Sequence, residues 1–450
     1  MNNRIDLTED KISTLIFKLA VPIILTNIFS MLFEIVDAIF IGKINSEALA
    51  GISIAGSIHF FISTFMAGIG IGTVALVSRY CGAKKYENAN EVAMQAFILG
   101  LFLGILISIF GFIFSADLLK IMGAKDKVFN YALPYNKILF SGAFLMPLLF
   151  LGSAILRGSG DTKTPMYFSL MATFLNIFLD WTLIFGKLGF PRLEVKGAAI
   201  ATIISRGLAS ILLIFILTLG KHNIHLNLKK IKISFDIIKK IFSIGIMASI
   251  QMFVRSSSSL FLVKLSTLFG TPVIASYGIG GKVYQIFLLP GFGFADASAT
   301  MVGHNLGANS IKRAKKTVLT AISYYLVFNF IFGLLVFFFP EKIAKIFNNE
   351  TLVIKTCSVY LKFLSIGGIF LSFGLIISRS LQGAGESFIP MLNTIIALLL
   401  IQIPLAYFLS INLKLKELGI WTAMPVANII HSILMLFAFF KTNWHNKRII

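Results

Sequence analysis

Asp37 and Asp180 are acidic side chains set inside otherwise apolar runs. An ionised carboxylate in hydrocarbon costs on the order of several kcal/mol, so such residues face protein or water and mark a path for ions or ligands. Asn176 precedes Asp180 by four residues, a spacing that stacks both on one helix face. Glu34 precedes Asp37 by three and falls on the same side of its own helix. Carboxylates held away from bulk water can exchange a proton, Na⁺ or an organic cation. The alternative is structural: a packing hydrogen bond from Asn176 or nearby backbone to Asp180. The second half carries Arg255 and Asp296, opposite charges on consecutive apolar segments. They are expected to neutralise each other as an ion pair lining that half.

The elements that position these residues follow from composition. Of 450 residues, 57% are hydrophobic and 13% charged, with 45 Phe, and the mean hydropathy is +0.88. A soluble domain is about one-quarter charged, so that class is excluded. The apolar runs reach the roughly 20 residues a bilayer demands. Lipid offers no partner to backbone polar groups, so the runs are expected to be helices, about twelve of them. The start carries charges as far as Lys18 and no small-residue cleavage site, so no cleavable signal is expected. Cys81 and Cys357 lie in opposite halves and imply no disulfide framework. The net charge of +21 reads as topology rather than nucleic-acid binding. With the N-terminus inside, Lys and Arg favour the inner loops by about two to one, which places both termini in the cytoplasm. The expected partner of this charge is the anionic headgroup surface.

A duplication runs through the chain. Gly82-Ala83 returns as Gly307-Ala308, an offset of 225 that also carries Leu156, Gly158, Gly160 and Pro165-Met166 onto Leu381, Gly383, Gly385 and Pro390-Met391. Six spans separate equivalent positions, so the halves are parallel repeats. The expected organisation is an N-terminal bundle over 1–220, a basic cytoplasmic linker over 221–240 and a C-terminal bundle over 241–450. The halves differ in charge: at the same offset, Asp37 and Asp180 meet Leu262 and Leu405, whereas Arg255 and Asp296 answer Ser30 and Ile71.

The chain resembles the multidrug and toxic compound extrusion (MATE) transporters over roughly residues 10 to 440. The resemblance is carried by Pro22, Val36-Asp-Ala-Ile-Phe-Ile-Gly42, Gly82-Ala83, Leu156-Arg-Gly-Ser-Gly-Asp161 and Pro165. It continues through Asn176-Ile-Phe-Leu-Asp180, Ile184-Phe-Gly186, Gly197-Ala-Ala-Ile-Ala-Thr202 and Gly303-His-Asn-Leu-Gly-Ala308. It implies an all-α integral membrane fold of twelve transmembrane helices, arranged as two six-helix bundles in a V shape. The implied activity is export of cationic amphipathic compounds in exchange for inward Na⁺ or H⁺, without an enzymatic cofactor. The family's cation site falls on Asp37, Asn176, Asp180 and Thr202, and its helix-1 bend on Pro22. Two carboxylates, an amide oxygen and a hydroxyl form a hard oxygen set suited to a small cation such as Na⁺. One branch of the family carries carboxylates in the C-terminal half; here the seventh span offers Gln251 and no acid. The chain is closer to the DNA-damage-inducible or archaeal-type branch. Gln251, Arg255, Asp296 and Glu34 remain candidates for a substrate cavity.

No pattern argues for an enzyme. Of the six histidines only His222 and His225 are spaced as metal ligands, and they fall in the basic linker. No nucleotide-binding loop is present, so a cation gradient rather than ATP is the expected energy source. The sequence reads as a monomeric multidrug efflux antiporter of the cell membrane. The competing reading is a flippase for lipid-linked oligosaccharide or another precursor; it calls for a cavity lined with several bases, whereas here the first half carries acids.

Overall fold

The computed structural model describes residues 6–219, 224–227, 232–447 and 449–450. Among them the architecture is all-helical. Eleven helices are long and apolar enough to cross a membrane, or twelve if a bent pair counts as one span. The first six spans are α1 (Ile12–Gly42), α2 (Ser46–Gly82), α3 (Tyr86–Ile113), a pair formed by α5 (Asp126–Ser141) and α6 (Leu145–Gly158), α7 (Lys163–Phe185) and α8 (Val195–Thr218). A short helix, α4 (Ser115–Ile121), lies between α3 and α5. The later spans are α9 (Phe235–Ser266), α10 (Thr271–Gly307), α11 (Ile311–Phe338), α13 (Thr351–Gly383), α14 (Phe388–Asn412) and α15 (Glu417–Lys441), with the short α12 (Pro340–Phe347) after α11.

The chain divides into two compact units. The first is Pro22–Gly245; the second joins the residues up to Val21 with Ile246–Ile450. The division falls at Pro22, inside the unbroken helix α1. Proline there withdraws one backbone donor from the helical ladder, and Thr26 Oγ donates to the Pro22 carbonyl at 2.8 Å.

The duplication is visible in turn geometry. Lys84 and Asn309, 225 residues apart, both take left-handed backbone, at φ 57° and 56°. Such a conformation strains a residue with a Cβ, so its recurrence in both halves is not accidental. Gly160 and Gly385 repeat the pattern at 93° and 88°. Helices α4 and α12 also begin 225 residues apart, at Ser115 and Pro340.

Two spans break the symmetry. The fourth, expected as one helix over 128–156, is interrupted between α5 and α6 by a bend of 53°. Its counterpart α13 is continuous. The fifth span, α7, is regular α-helix, whereas its counterpart α14 is π-helical over Ile395–Gln402 and Phe408–Asn412. Wide turns of this kind are rare and collect at functional sites.

Part of the linker, with His222, lies outside the described residues. The described part is tied to α3: Asn90 accepts from the His225 backbone N–H at 2.9 Å. Gln95 donates to the Lys232 carbonyl at 2.6 Å and accepts from Ser234 N–H at 3.0 Å.

Candidate cation site

All four residues of the expected cation site belong to the first unit and are buried. Asn176 and Asp180 on α7 are 0% exposed, and Asp37 on α1 and Thr202 on α8 are 9% exposed. The register that brings α1 and α7 together is fixed about two turns away. Thr173 Oγ on α7 donates to the Phe29 carbonyl of α1 at 3.1 Å. Both helices are odd-numbered spans and run in the same direction. Eight residues from Phe29 to Asp37 and seven from Thr173 to Asp180 climb about the same height, roughly 11 to 12 Å at 1.5 Å per residue. Asp37 and Asp180 therefore reach one level, close enough for Asp180 to feel the charge of Asp37.

These residues have no hydrogen-bond partner for Asp37 Oδ1, for either polar atom of Asn176, for either carboxylate oxygen of Asp180, or for Thr202 Oγ. An unpaired buried polar group normally costs about 1–3 kcal/mol, and a charged one more. The oxygens of this cluster are of the kind that a small hard cation or a proton takes. The alternative of a packing bond between Asn176 and Asp180 is not what forms, since both side chains are unpartnered.

Arg206, one turn beyond Thr202 on α8, is the cation nearest in charge terms to Asp37. It forms no ion pair among the described residues; its guanidinium lies over the Phe33 ring, 4.4 Å from the centroid. Parking the cation on an aromatic face holds it without neutralising the carboxylates. Glu34 is exposed and contributes charge to the surroundings of Asp37 rather than an inward ligand. One residue escaped the sequence reading: buried Tyr135 on α5 lies within electrostatic reach of Asp37, Asp180, Arg206 and Glu34. Beside it, Asn136 Oδ1 accepts from His59 Nε2 at 3.0 Å and Asn136 Nδ2 donates to Ser115 Oγ at 2.9 Å.

The second unit treats its polar residues differently. Gln251 donates to Ser378 Oγ and Thr394 Oγ, each at 2.8 Å, and to the Pro390 carbonyl at 3.3 Å. It accepts from Gln382 Nε2 at 2.6 Å. Thr394 Oγ is also 3.2 Å from His431 Nε2. Gln251 is therefore a saturated hub of packing, not an open ligand. The expected Arg255–Asp296 pair does not form. Asp296 accepts from Arg379 Nε at 2.8 Å, and Arg379 also donates to Gln382 Oε1 at 3.3 Å. Arg379 was missed because it sits at the end of its span, where a base is unremarkable. Among the described residues no three His, Cys, Asp or Glu converge as a metal cluster.

Fold and site together define a polytopic helical membrane protein, built on a repeat, with an unpartnered hard-donor cluster, among the described residues, in one unit only. Residues 22–182 and 248–408 match the MatE family model, and the chain belongs to that family. It is 26% identical to the "Probable multidrug resistance protein NorM" of Thermotoga maritima, over 97% of this chain and 94% of the relative. It is 28% identical to the "Probable multidrug resistance protein YoeA" of Bacillus subtilis, covering 95% and 93%. A protein named "FAD transporter" from Shewanella oneidensis is 26% identical over 96% and 95%. The solved structure of MATE in the bent conformation superposes with a TM-score of 0.91 at 26% identity, over 96% of both chains.

Proposed function

We propose that this protein is a cation-coupled multidrug exporter in which Asp37, Asn176, Asp180 and Thr202 bind the inward-moving Na⁺ or H⁺. The observation that supports this reading is the set of buried oxygens without partners on α1, α7 and α8. Relatives named for multidrug resistance support an amphipathic small-molecule cargo, cationic in keeping with the acids of the first unit. In this reading both termini are cytoplasmic and the protein works as a monomer among membrane lipids. The functional halves are 1–220 and 241–450, joined by the linker 221–240.

The cation fills the cluster and cancels its charge, favouring a form of α1 bent at Pro22; the contracted first half then releases the cargo. Cation and cargo must bind the two forms unequally, because equal affinity shifts nothing. The test is ethidium efflux from reconstituted vesicles under separately imposed Na⁺ and pH gradients. Efflux driven by one gradient and lost in both Asp37→Asn and Asp180→Asn is the expected result. Dye flux that ignores both gradients identifies a channel. Precursor-lipid translocation without dye efflux identifies a flippase.

A further inference from the structure

We propose that Arg206 is a built-in competitor of the coupling cation and that Phe33 holds it off the site, so that the pair sets how tightly Asp37 and Asp180 bind. The proposal rests on the exporter reading and assigns two further residues to its cation site.

The geometry follows from one contact. The Arg206 guanidinium of α8 lies over the Phe33 ring of α1, 4.4 Å from its centroid. Among the described residues it pairs with no acid. The first and sixth spans run in opposite directions. Four residues on from Phe33 to Asp37 and four back from Arg206 to Thr202 therefore climb the same way, by about 6 Å at 1.5 Å per residue. Asp37 and Thr202 thus stand one turn above the contact, each on the same helix face as its neighbour below. Helical side chains lean toward the N-terminus of their own helix. Asp37 therefore leans down toward the contact, and Arg206 leans up toward Thr202. Phe33 is 5% exposed and Asp37 9%, so little water screens the charges from each other. Glu34 follows Phe33 directly, which turns it about 100° around the helix, and it is exposed. It does not replace the ring as the partner of Arg206.

The pair occurs in one copy of the repeat. At the 225-residue offset Phe33 meets Ser258. Helices α8 and α15 are aligned by the residues just before them, Glu194 and Lys416, each with φ 52°. On that register Arg206 meets Asn428. The copy without the two carboxylates thus lacks both the base and the ring. A contact made for packing alone has no reason to follow the acids.

Two weakly screened carboxylates hold a small cation firmly, yet an antiporter must also let it go. A positive charge one turn away repels the incoming cation, on the order of ten-fold in affinity at an effective dielectric of about 20. Seated on Asp37 itself, the guanidinium would displace the cation outright. The face of the Phe33 ring attracts the guanidinium and keeps it at the first of these distances.

The test is ethidium efflux from reconstituted vesicles as a function of the driving cation, with Na⁺ varied at fixed pH and H⁺ varied without Na⁺. The cation that drives the wild type is the one compared. Arg206→Gln is expected to lower its half-maximal concentration about ten-fold, with slower maximal efflux because the cation leaves late. Arg206→Lys keeps the charge and should stay within about three-fold of the wild type. Phe33→Leu frees the guanidinium and should raise the half-maximal concentration about three-fold to ten-fold, the scale of a lost cation–π contact. In the Arg206→Gln background Phe33→Leu should add nothing, since no charge is left to release. An unchanged or higher value in Arg206→Gln overturns the proposal. So does a Phe33→Leu shift that persists in the double variant, because the ring would then be packing only. Arg206→Met and Phe33→Met carry the same expectations and replace any variant that fails to fold. Wild-type efflux that answers to neither cation would instead sink the exporter reading.

Discussion

The two units share a repeat and use buried polarity in opposite ways. In the first unit, unpartnered atoms concentrate on four residues of three neighbouring spans, two of them carboxylates. In the second, polar residues at comparable depth are joined: Asp296 to Arg379, Arg379 to Gln382, Gln382 to Gln251, Gln251 to Thr394 and Thr394 to His431. Among the described residues, unpartnered atoms occur there singly, as on Thr300, Asn329 and Trp421, and none belongs to a carboxylate. Backbone geometry is exchanged too: a bent fourth span with a regular fifth in the first unit, a continuous fourth with a π-wound fifth in the second. One copy leaves polar groups without partners, and the other uses them to hold its helices.

The largest expected effect breaks the first half of that comparison. Asp37→Asn and Asp180→Asn should each abolish gradient-driven efflux, read as dye release from vesicles, while membrane insertion is retained. The same change should not cost stability. Asp180→Asn breaks no hydrogen bond and exchanges an unpaired acid for an equally unpaired neutral amide, so the melting temperature in detergent is expected to stay level or rise. A fall in melting temperature would mean that Asp180 holds the fold together, and the contrast between units would fail.

In the second unit the sign reverses. Gln251→Leu takes the acceptor from Gln382 Nε2 and the donor from Ser378 Oγ in the interior, while Thr394 keeps the Pro390 carbonyl and His431. It should cost about 2–4 kcal/mol, since each orphaned buried group carries its own desolvation penalty. An unchanged melting temperature would show that the hub is slack, and the second unit would then resemble the first.

What was legible beforehand follows from how each feature is written in the sequence. Asp37 and Asp180 announce themselves because acids are rare in apolar runs, and the i, i+4 spacing attached Asn176 to Asp180. The partner of Asp296 was not legible. Arg255 and Arg379 are equally basic, and only the packing of α10 against α13 selects Arg379. Tyr135 gave no signal because a tyrosine is ordinary in a membrane helix. The bend of the fourth span was hidden for a subtler reason. Gly142 marks the break in one half, where an added Cβ would meet Ile203 at 2.7 Å. Gly367, its counterpart, instead lets α13 approach Pro425 of α15, at 3.1 Å from an added Cβ. The same residue serves interruption in one copy and close packing in the other. The π turns of α14 leave no compositional trace, since they change which carbonyl an amide reaches and not which residues are present.

The Asp296–Arg379 pair offers a finer probe. Its side chains are 20% and 16% exposed, so solvent weakens the attraction without removing it. Asp296→Asn should cost about 1–2 kcal/mol, less than the loss of the Gln251 hub, because water can reach the orphaned guanidinium. A double-mutant cycle with Arg379→Gln should return a coupling energy of the same sign and size. Zero coupling would mean that the pair is incidental and that Arg379 does not hold Asp296.

The smallest effect concerns the π-wound span. Gln402 closes the Ile395–Gln402 segment and is tied to Ser258 of α9. Thr394, just before the segment, is tied to Gln251 of the same helix. A π turn has more residues than an α turn, so the wide segment sets the angle at which these two residues face α9 together. Ser258→Ala removes one tie and should cost about 1 kcal/mol or less. Deleting one residue between Leu398 and Ile401 would instead favour α winding there and change the angle between Thr394 and Gln402 around the helix. That variant should lose at least as much stability as Ser258→Ala, with no further loss when the two changes are combined. If the deletion is neutral, the π winding is a local accommodation, and the fifth spans of the two units differ in shape without differing in purpose.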